Sequence, residues 1–250
     1  WSLGDYFKEE HIPWLASVLF DELRLDPNRL YVTCFRGNEN LGLPRDEQSA
    51  KIWQSIFEAK GVVANIADFG EVKGLQDARI YYYDESKNWW SRAGGAQNIP
   101  IGEPGGPGTE MVWVFTPGSD KIHEQSLSAS EQCHINCDCG RFLEIGNSVF
   151  MEYLKTEEGF KSLPNKNVDF GGGLERMATA VLDDPDIFMI DVFDSARRTL
   201  EELSGKKYGQ NADDTRAFRV IMDHVRAATH LIADSAYPSN KDQGYFTRRL

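Results

Sequence analysis

Between Val168 and Met177 the chain reads Val-Asp-Phe-Gly-Gly-Gly-Leu-Glu-Arg-Met. Asp169 is a carboxylate able to hold a cation, and Arg176 carries a permanent charge on a planar fork suited to phosphate. Gly171, Gly172 and Gly173 lie between them, and glycine lets a backbone approach a ligand closely. Leu174, Met177 and Val181 recur at helical spacing, so a helix over Leu174–Leu182 is predicted to begin beside the glycines. Its first turn offers free N–H groups and the positive end of a dipole. Together these suit an anionic ligand with a cationic group next to it. Neither GxxxxGK[ST] nor a GxGxxG opening a βαβ unit is present. Taken alone, the segment fits equally well a tight strand–helix junction with Arg176 paired to a surface acid.

Upstream, Leu143, Ile145, Val149 and Phe150 give a mostly apolar run of β-formers over Phe142–Tyr153, read as a buried strand. Glu144 and Asn147 are then polar groups inside an apolar strand, and a buried carboxylate is costly unless it is paired or bound to metal. A third group is Cys133, His134, Cys137 and Cys139. These are competent zinc ligands at a spacing that matches none of the common fingers, the alternative being a loop with free thiols. A cytoplasmic enzyme keeps such cysteines, and Cys34, reduced.

The elements that must position these groups follow from periodicity. Helices are predicted over Glu9–Leu25, Asp46–Lys60, Ile187–Ser204 and Phe218–Ala233, and strands over Leu30–Phe35, Arg79–Tyr83, Met111–Phe115 and Val168–Phe170. Val62–Phe69 is a further short β candidate. Thr156–Lys166 reads as a turn and Ser119–Gln132 as a polar loop. Strands and helices do not alternate as in a parallel sheet, so the fold class is α+β. At 250 residues, 41% hydrophobic and 12% aromatic, the chain can bury a sizeable core. No stretch is apolar enough to span a membrane. The net charge of −12 argues against a general nucleic-acid coat. From Asp213 onward, however, six lysines and arginines face five aspartates. A polar stretch at Gly205–Thr215 marks an expected boundary between residues 1–212 and 213–250.

Several stretches share motifs with a known family. FLEIxNxVFM followed by VDxGxGLER resembles the catalytic core of the alanyl-tRNA synthetases, which are class II aminoacyl-tRNA synthetases. Ser2–Lys8 looks like the end of the family's motif 2. Asn88–Gly94 with Gly102–Glu110 is similar to its NFW…GPCGPCxE region. Arg219–Ala228 with Pro238-Ser239-Asn240 and Gly244-Tyr245 is similar to its RVIADHIRAA…PSN…GY segment. The matches keep family order from Ser2 to Leu250. Gly146 departs from the family, which usually has Trp there. The cysteines of GPCGPC are also missing, with Gly106 and Gly108 in that stretch.

The resemblance implies an antiparallel class II sheet flanked by helices, followed by the start of a helical tRNA-recognition domain. It implies activation of alanine with ATP and Mg²⁺ to alanyl-adenylate, then transfer to the 3′ end of tRNA(Ala). Lys8 and Arg176 would stabilise the phosphates. Trp90, Asn147, Val149 and Asp169 would bind alanine. Glu110, Glu144 and Gly171–Gly173 would hold ATP and Mg²⁺. Asn240, Arg248 and Arg249 would contact tRNA. Opening inside a motif, the chain is expected to be a fragment lacking motif 1 and the separate editing domain, and to work in the cytoplasm. The alternative is a non-catalytic class II paralogue that binds nucleotide or RNA. Without the resemblance, Lys8 would be a solvated lysine beside Glu9 and Glu10, Trp90 a core residue, and Pro-Ser-Asn an ordinary turn.

Overall fold

The computed structural model describes residues 1–115, 120–124, 126 and 128–250, with main chain alone at 120 and 121. The predicted loop at 119–132 is described only in part, and within it a short helix, Asp120–Glu124, stands where no element was expected. Two units divide the chain, Trp1–Pro185 and Asp186–Leu250.

The first unit is built on one sheet. Its strands are β1 (Ser2–Leu3), β2 (Leu30–Phe35), β3 (Ile66–Asp68), β4 (Ile80–Tyr83), β5 (Trp89–Ser91), β6 (Pro104–Val114), β7 (Phe142–Thr156) and β8 (Gly159–Gly172). Their order is β1-β8-β7-β6-β2-β4-β3, with β5 on β6. Pairing is antiparallel from β1 to β2 and at β5, whereas β2–β4 and β4–β3 are parallel. The sheet is therefore mixed, not wholly antiparallel as the resemblance implied. The long connection through the second helix below carries the chain back parallel to β2, which a tight hairpin cannot do.

Among the described residues this unit has helices α1 (Lys8–Ser17), α2 (Glu47–Ala59), α3 (Gly70–Lys73), α4 (Glu85–Asn88), α5 (Asp120–Glu124) and α6 (Leu174–Leu182). Helix α1 runs on into a π turn over Val18–Glu22, close to the predicted span. In α2, Asp46 caps the first turn by accepting from Ser49 N at 3.1 Å. Ala50, Trp53 and Phe57 recur three to four residues apart and are fully buried. With Ile12 of α1 and Leu19 of the π turn they cover one face of the sheet over Leu30, Val32, Ile80 and Met111.

One expectation fails at Thr156–Lys166, because the turn is only two residues long. Gly159, at φ +116°, opens β8, which then runs 14 residues. Its lysines, serine and asparagines face solvent and hide the apolar alternation that marks a strand.

The second unit holds α7 (Asp194–Ser204), α8 (Ala212–Ala233) and α9 (Asp242–Arg249), preceded by 3-10 turns at Ile187–Met189 and Asp191–Phe193. Those turns replace the first half of the helix predicted from Ile187. The expected boundary at 212/213 moves to 185/186. The polar stretch at 205–215 is a loop inside this unit: Tyr208 donates to Asp186 at 2.6 Å, Arg219 donates to the same carboxylate at 2.7 Å, and Ala196 and Leu200 of α7 share a cavity wall with Ile221 and Met222 of α8.

Candidate active site

Strand register decides which side chains meet. Glu110 of β6 lies opposite Asn147 of β7, Gly108 opposite Val149, and on the far side Asn147 faces Gly171 and Val149 faces Asp169 of β8. Directly opposed residues share a sheet face. Glu110, Asn147, Val149 and Asp169 are therefore neighbours on one face, although the sequence scatters them over 60 positions. Ser148, Phe150 and Phe170 point to the other face, where the Nε2 of His11 meets the Ser148 hydroxyl at 2.8 Å. A small cavity of about 100 Å³ opens on the first face, lined by Lys87, Trp89, Trp90, Gly108, Glu110, Asn147, Ser148 and Val149. Pockets for drug-sized ligands run to roughly 300–1,000 Å³, so this one admits only a small group. Asp169 is exposed, with no hydrogen-bond or ion-pair partner among the described residues.

The acidic pair depends on a bulge. Met111 pairs with Gly146 but Val112 pairs with Glu144, which leaves Ile145 as the extra residue. A bulge re-aims the side chains after it. Glu144, three residues before Asn147, thereby joins it on one face and accepts from its Nδ2 at 2.7 Å. Glu110 accepts from Thr33 Oγ1 at 3.0 Å and from Asn136 Nδ2 at 3.3 Å, while Thr33 accepts from Asn88 at 2.6 Å. Burial, and then the nearby charge of Glu144, push the Glu110 carboxyl up to about 7. Two carboxylates brought together, one of them buried, favour a cation beside them, and their hard oxygens suit Mg²⁺.

Helix α6 starts as predicted, at Leu174. Gly173 is its N-cap and offers no side chain to the first-turn N–H groups. The Gly173 N–H donates to Ile145 O at 3.1 Å, and Arg176 Nη1 donates to Glu144 O at 3.0 Å, with its carboxylate at 3.7 Å. The helix terminus and its arginine are thus docked on the bulge, beside the acidic pair.

Lys8 is placed otherwise than expected. It is 3% exposed, and its Nζ bonds Asp46 at 3.0 Å and Glu152 at 2.9 Å. A buried ammonium enclosed by two carboxylates ties α1 to α2 and β7 and is not presented to a phosphate. Trp89 packs among Phe35, Tyr153 and Phe160, whereas Trp90 is 42% exposed at the cavity rim. Gly146 faces away from the cavity: a Cβ there would meet Met111 and Phe170 at 3.2–3.3 Å, so those side chains fill the space a larger residue would take. Gly106 cannot carry a side chain, because a Cβ would overlap the carbonyl oxygen of Phe150, while at Gly108 the nearest atom is 3.4 Å away.

The metal-ligand set also changes. His134 Nδ1 is engaged by the Tyr83 hydroxyl at 2.8 Å, and His123 stands with Cys137 and Cys139 instead. In the second unit, Arg248 donates to the Asn240 side-chain oxygen, and Arg249 is exposed on the same helix, α9.

Sequence reasoning passed over Lys87, Thr33 and Asn136. Lys87 directly precedes Asn88-Trp89-Trp90, and a cation so close to that motif was the available signal. Thr33 is the one aliphatic hydroxyl in strand β2. Asn136 carried no signal, since its partner lies 26 residues away.

The class II (A) tRNA synthetase family model matches residues 1–250. The chain is 37% identical to the alanine–tRNA ligase of Borreliella burgdorferi over 257 residues, which cover all of this chain and 37% of that protein. It is 35% identical to that of Treponema denticola with the same coverage, and 34% identical to that of Desulforamulus reducens, of which it covers 24%. It thus spans between about a quarter and a little more than a third of the length of such relatives. A match along every residue makes the chain a member of the class II (A) tRNA synthetases.

Proposed function

We propose that this chain is the aminoacylation core of an alanine–tRNA ligase, which activates alanine with ATP and transfers it to the 3′ end of tRNA(Ala). One observation carries the reading: the Asp169 carboxylate, unpaired among the described residues, stands on the same sheet face as Asn147, Val149 and the small cavity under Trp90. An ammonium held by Asp169 would direct a short side chain into that cavity, which has no room for a large one. Val149 and Trp90 supply apolar contact for a methyl group, and Asn147 a hydrogen bond.

Activation brings a carboxylate to a polyanion, so catalysis is alignment and charge compensation more than proton transfer. Arg176 and the uncapped N–H groups of α6 supply positive potential beside Gly171–Gly173, where side chains do not obstruct a nucleotide. Glu110 and Glu144 would hold Mg²⁺, which when bound neutralises phosphate charge. Lys8 acts from behind, by fixing α1 and β7. Asn240 would read the tRNA acceptor stem, with Arg248 and Arg249 on its phosphates. No helix among the described residues is long and apolar enough to cross a membrane, and the four free cysteines suit a reducing cytoplasm.

The test is ATP–pyrophosphate exchange by the full-length protein with each amino acid in turn. Alanine-dependent exchange supports the reading, and exchange with another amino acid alone overturns the specificity. Sequestration of Lys8 favours a second reading, a non-catalytic paralogue. Alanine-independent ATP binding without any exchange would establish it.

A further inference from the structure

Two buried thiols and an imidazole converge outside the adenylation site, with the Cys133 side chain packed against the same cluster. Ligand atoms of His123, Cys137 and Cys139 lie within 4.8 Å of one another, and all three residues are at most 9% exposed. The Cys137 Sγ is 3.6 Å from His123 Nδ1. Zn–S and Zn–N bonds of about 2.3 and 2.0 Å at a tetrahedral angle put ligand atoms roughly 3.5 Å apart, so this edge is already at the right length. His123 Nε2 lies 3.1 Å from Glu131 O. A carbonyl only accepts, so the proton is on Nε2 and the Nδ1 lone pair faces the thiols. Metal-bound histidines are held in this way by an outer partner. The Cys133 side chain packs against the cluster that holds Cys137 and Cys139, outside the 4.8 Å group, and its Sγ lies 4.0 Å from Arg141 Nη1. His134 is not in this group, and its Nδ1 is engaged by the Tyr83 hydroxyl.

The geometry points to a structural Zn²⁺ site made of His123, Cys137 and Cys139, with Cys133 as fourth ligand. Three thiolates and a neutral imidazole around Zn²⁺ carry one net negative charge, and the Arg141 guanidinium stands next to Cys133 to offset it. Zinc takes four such ligands in closed structural sites, and no position is left open for chemistry. Its work is to fix the 133–139 loop. That loop carries Asn136 to Glu110 at 3.3 Å and His134 to Tyr83 at 2.8 Å, so the metal braces one wall of the acidic pair without touching substrate. The alternative for these residues is an apolar pocket of reduced thiols around a neutral histidine.

The experiment is elemental analysis of the full chain after exhaustive dialysis against metal-free buffer. About one zinc per chain is expected. Cys137→Ser, Cys139→Ser and His123→Asn should each weaken zinc retention against a competing chelator by at least about tenfold, since loss of even an outer partner costs that much. His134→Asn should retain zinc as the wild type does. Replacing the metal with Co²⁺ in wild-type protein should give the visible bands of a tetrahedral thiolate site, a readout that does not depend on any variant folding. Wild-type protein without stoichiometric zinc and without those Co²⁺ bands overturns the assignment, as does zinc lost on His134→Asn but kept on His123→Asn. Neither result bears on alanine activation, which the exchange assay reads separately.

Discussion

Asn147 donates to Glu144 at 2.7 Å across a β-bulge that sets two residues three apart on one face of the sheet. In a regular strand they would point to opposite faces. The bulge therefore assembles the acidic pair, because it brings Glu144 round to Glu110, whose carboxyl is pushed up to about 7 by burial and then by that neighbour.

Glu110→Gln should separate stability from activity. The folded-state value exceeds the ordinary 4.5, so the folded protein holds a proton that the unfolded chain gives up. The stability this confers is complete below pH 4.5 and is lost as pH rises through 7. Glutamine has no such loss. The variant's unfolding free energy should match wild type near pH 4.5, gain steadily to pH 7 and level off above it, by roughly 3 kcal/mol at most. Exchange activity should fall sharply over the same range. A variant less stable than wild type at pH 8 would show that Glu110 is compensated by a protein cation.

Asp169→Asn should leave stability unchanged, since the carboxylate is exposed and unpaired among the described residues. A hydrogen bond to a charged group contributes about 1.5–3 kcal/mol, which is a loss of roughly ten- to a hundredfold in kcat/KM. The loss should appear when alanine is varied, with the KM for ATP unaffected. Unaltered alanine kinetics would remove Asp169 from the amino-acid site.

What could be read from the chain follows the range of the interactions. Helix α6 was legible to the residue, because a glycine start and an apolar stripe are local signals. Strand β7 was legible as a buried run containing two misplaced polar residues. The fate of Lys8 was not, since its partners lie 38 and 144 residues away and nothing near it in sequence distinguishes a solvated lysine from a buried one. Nor was His123, which stands apart from the cysteines while His134 sits among them. Strand β8 was missed because most of its side chains face water.

Lys8→Met should be a stability variant first. Removing one partner of a buried ion group strands the others, at about 3–5 kcal/mol. Asp46 keeps its bonds to Ser49 at 3.1 and 2.7 Å, and Glu152 keeps Lys166 at 2.9 Å, so the lower end of that range is expected in urea unfolding. Near-native stability combined with abolished exchange would return Lys8 to the phosphates.

His11 gives the sheet a pH limit from behind the site. Its ring is held between Tyr6, Phe150 and Phe170, with Nε2 on the Ser148 hydroxyl, and burial lowers it from 6.5 to about 4. The unfolded chain takes up a proton below pH 6.5 while the folded one does not, so this contribution to stability is intact above 6.5 and is lost as pH falls toward 4. Carboxylates elsewhere titrate in part of that window, so the difference between wild type and His11→Gln is the quantity to follow. Glutamine can keep a hydrogen bond to Ser148 but cannot charge. The wild-type urea midpoint should fall more steeply than the variant's between pH 6.5 and 4, with parallel curves above 7. Parallel curves throughout would mean that the ring protonates freely in the folded state. Ser148 sits between Asn147 and Val149, so a charge on the buried ring is placed directly behind the strand that carries the pocket, and exchange activity should decline over the same interval.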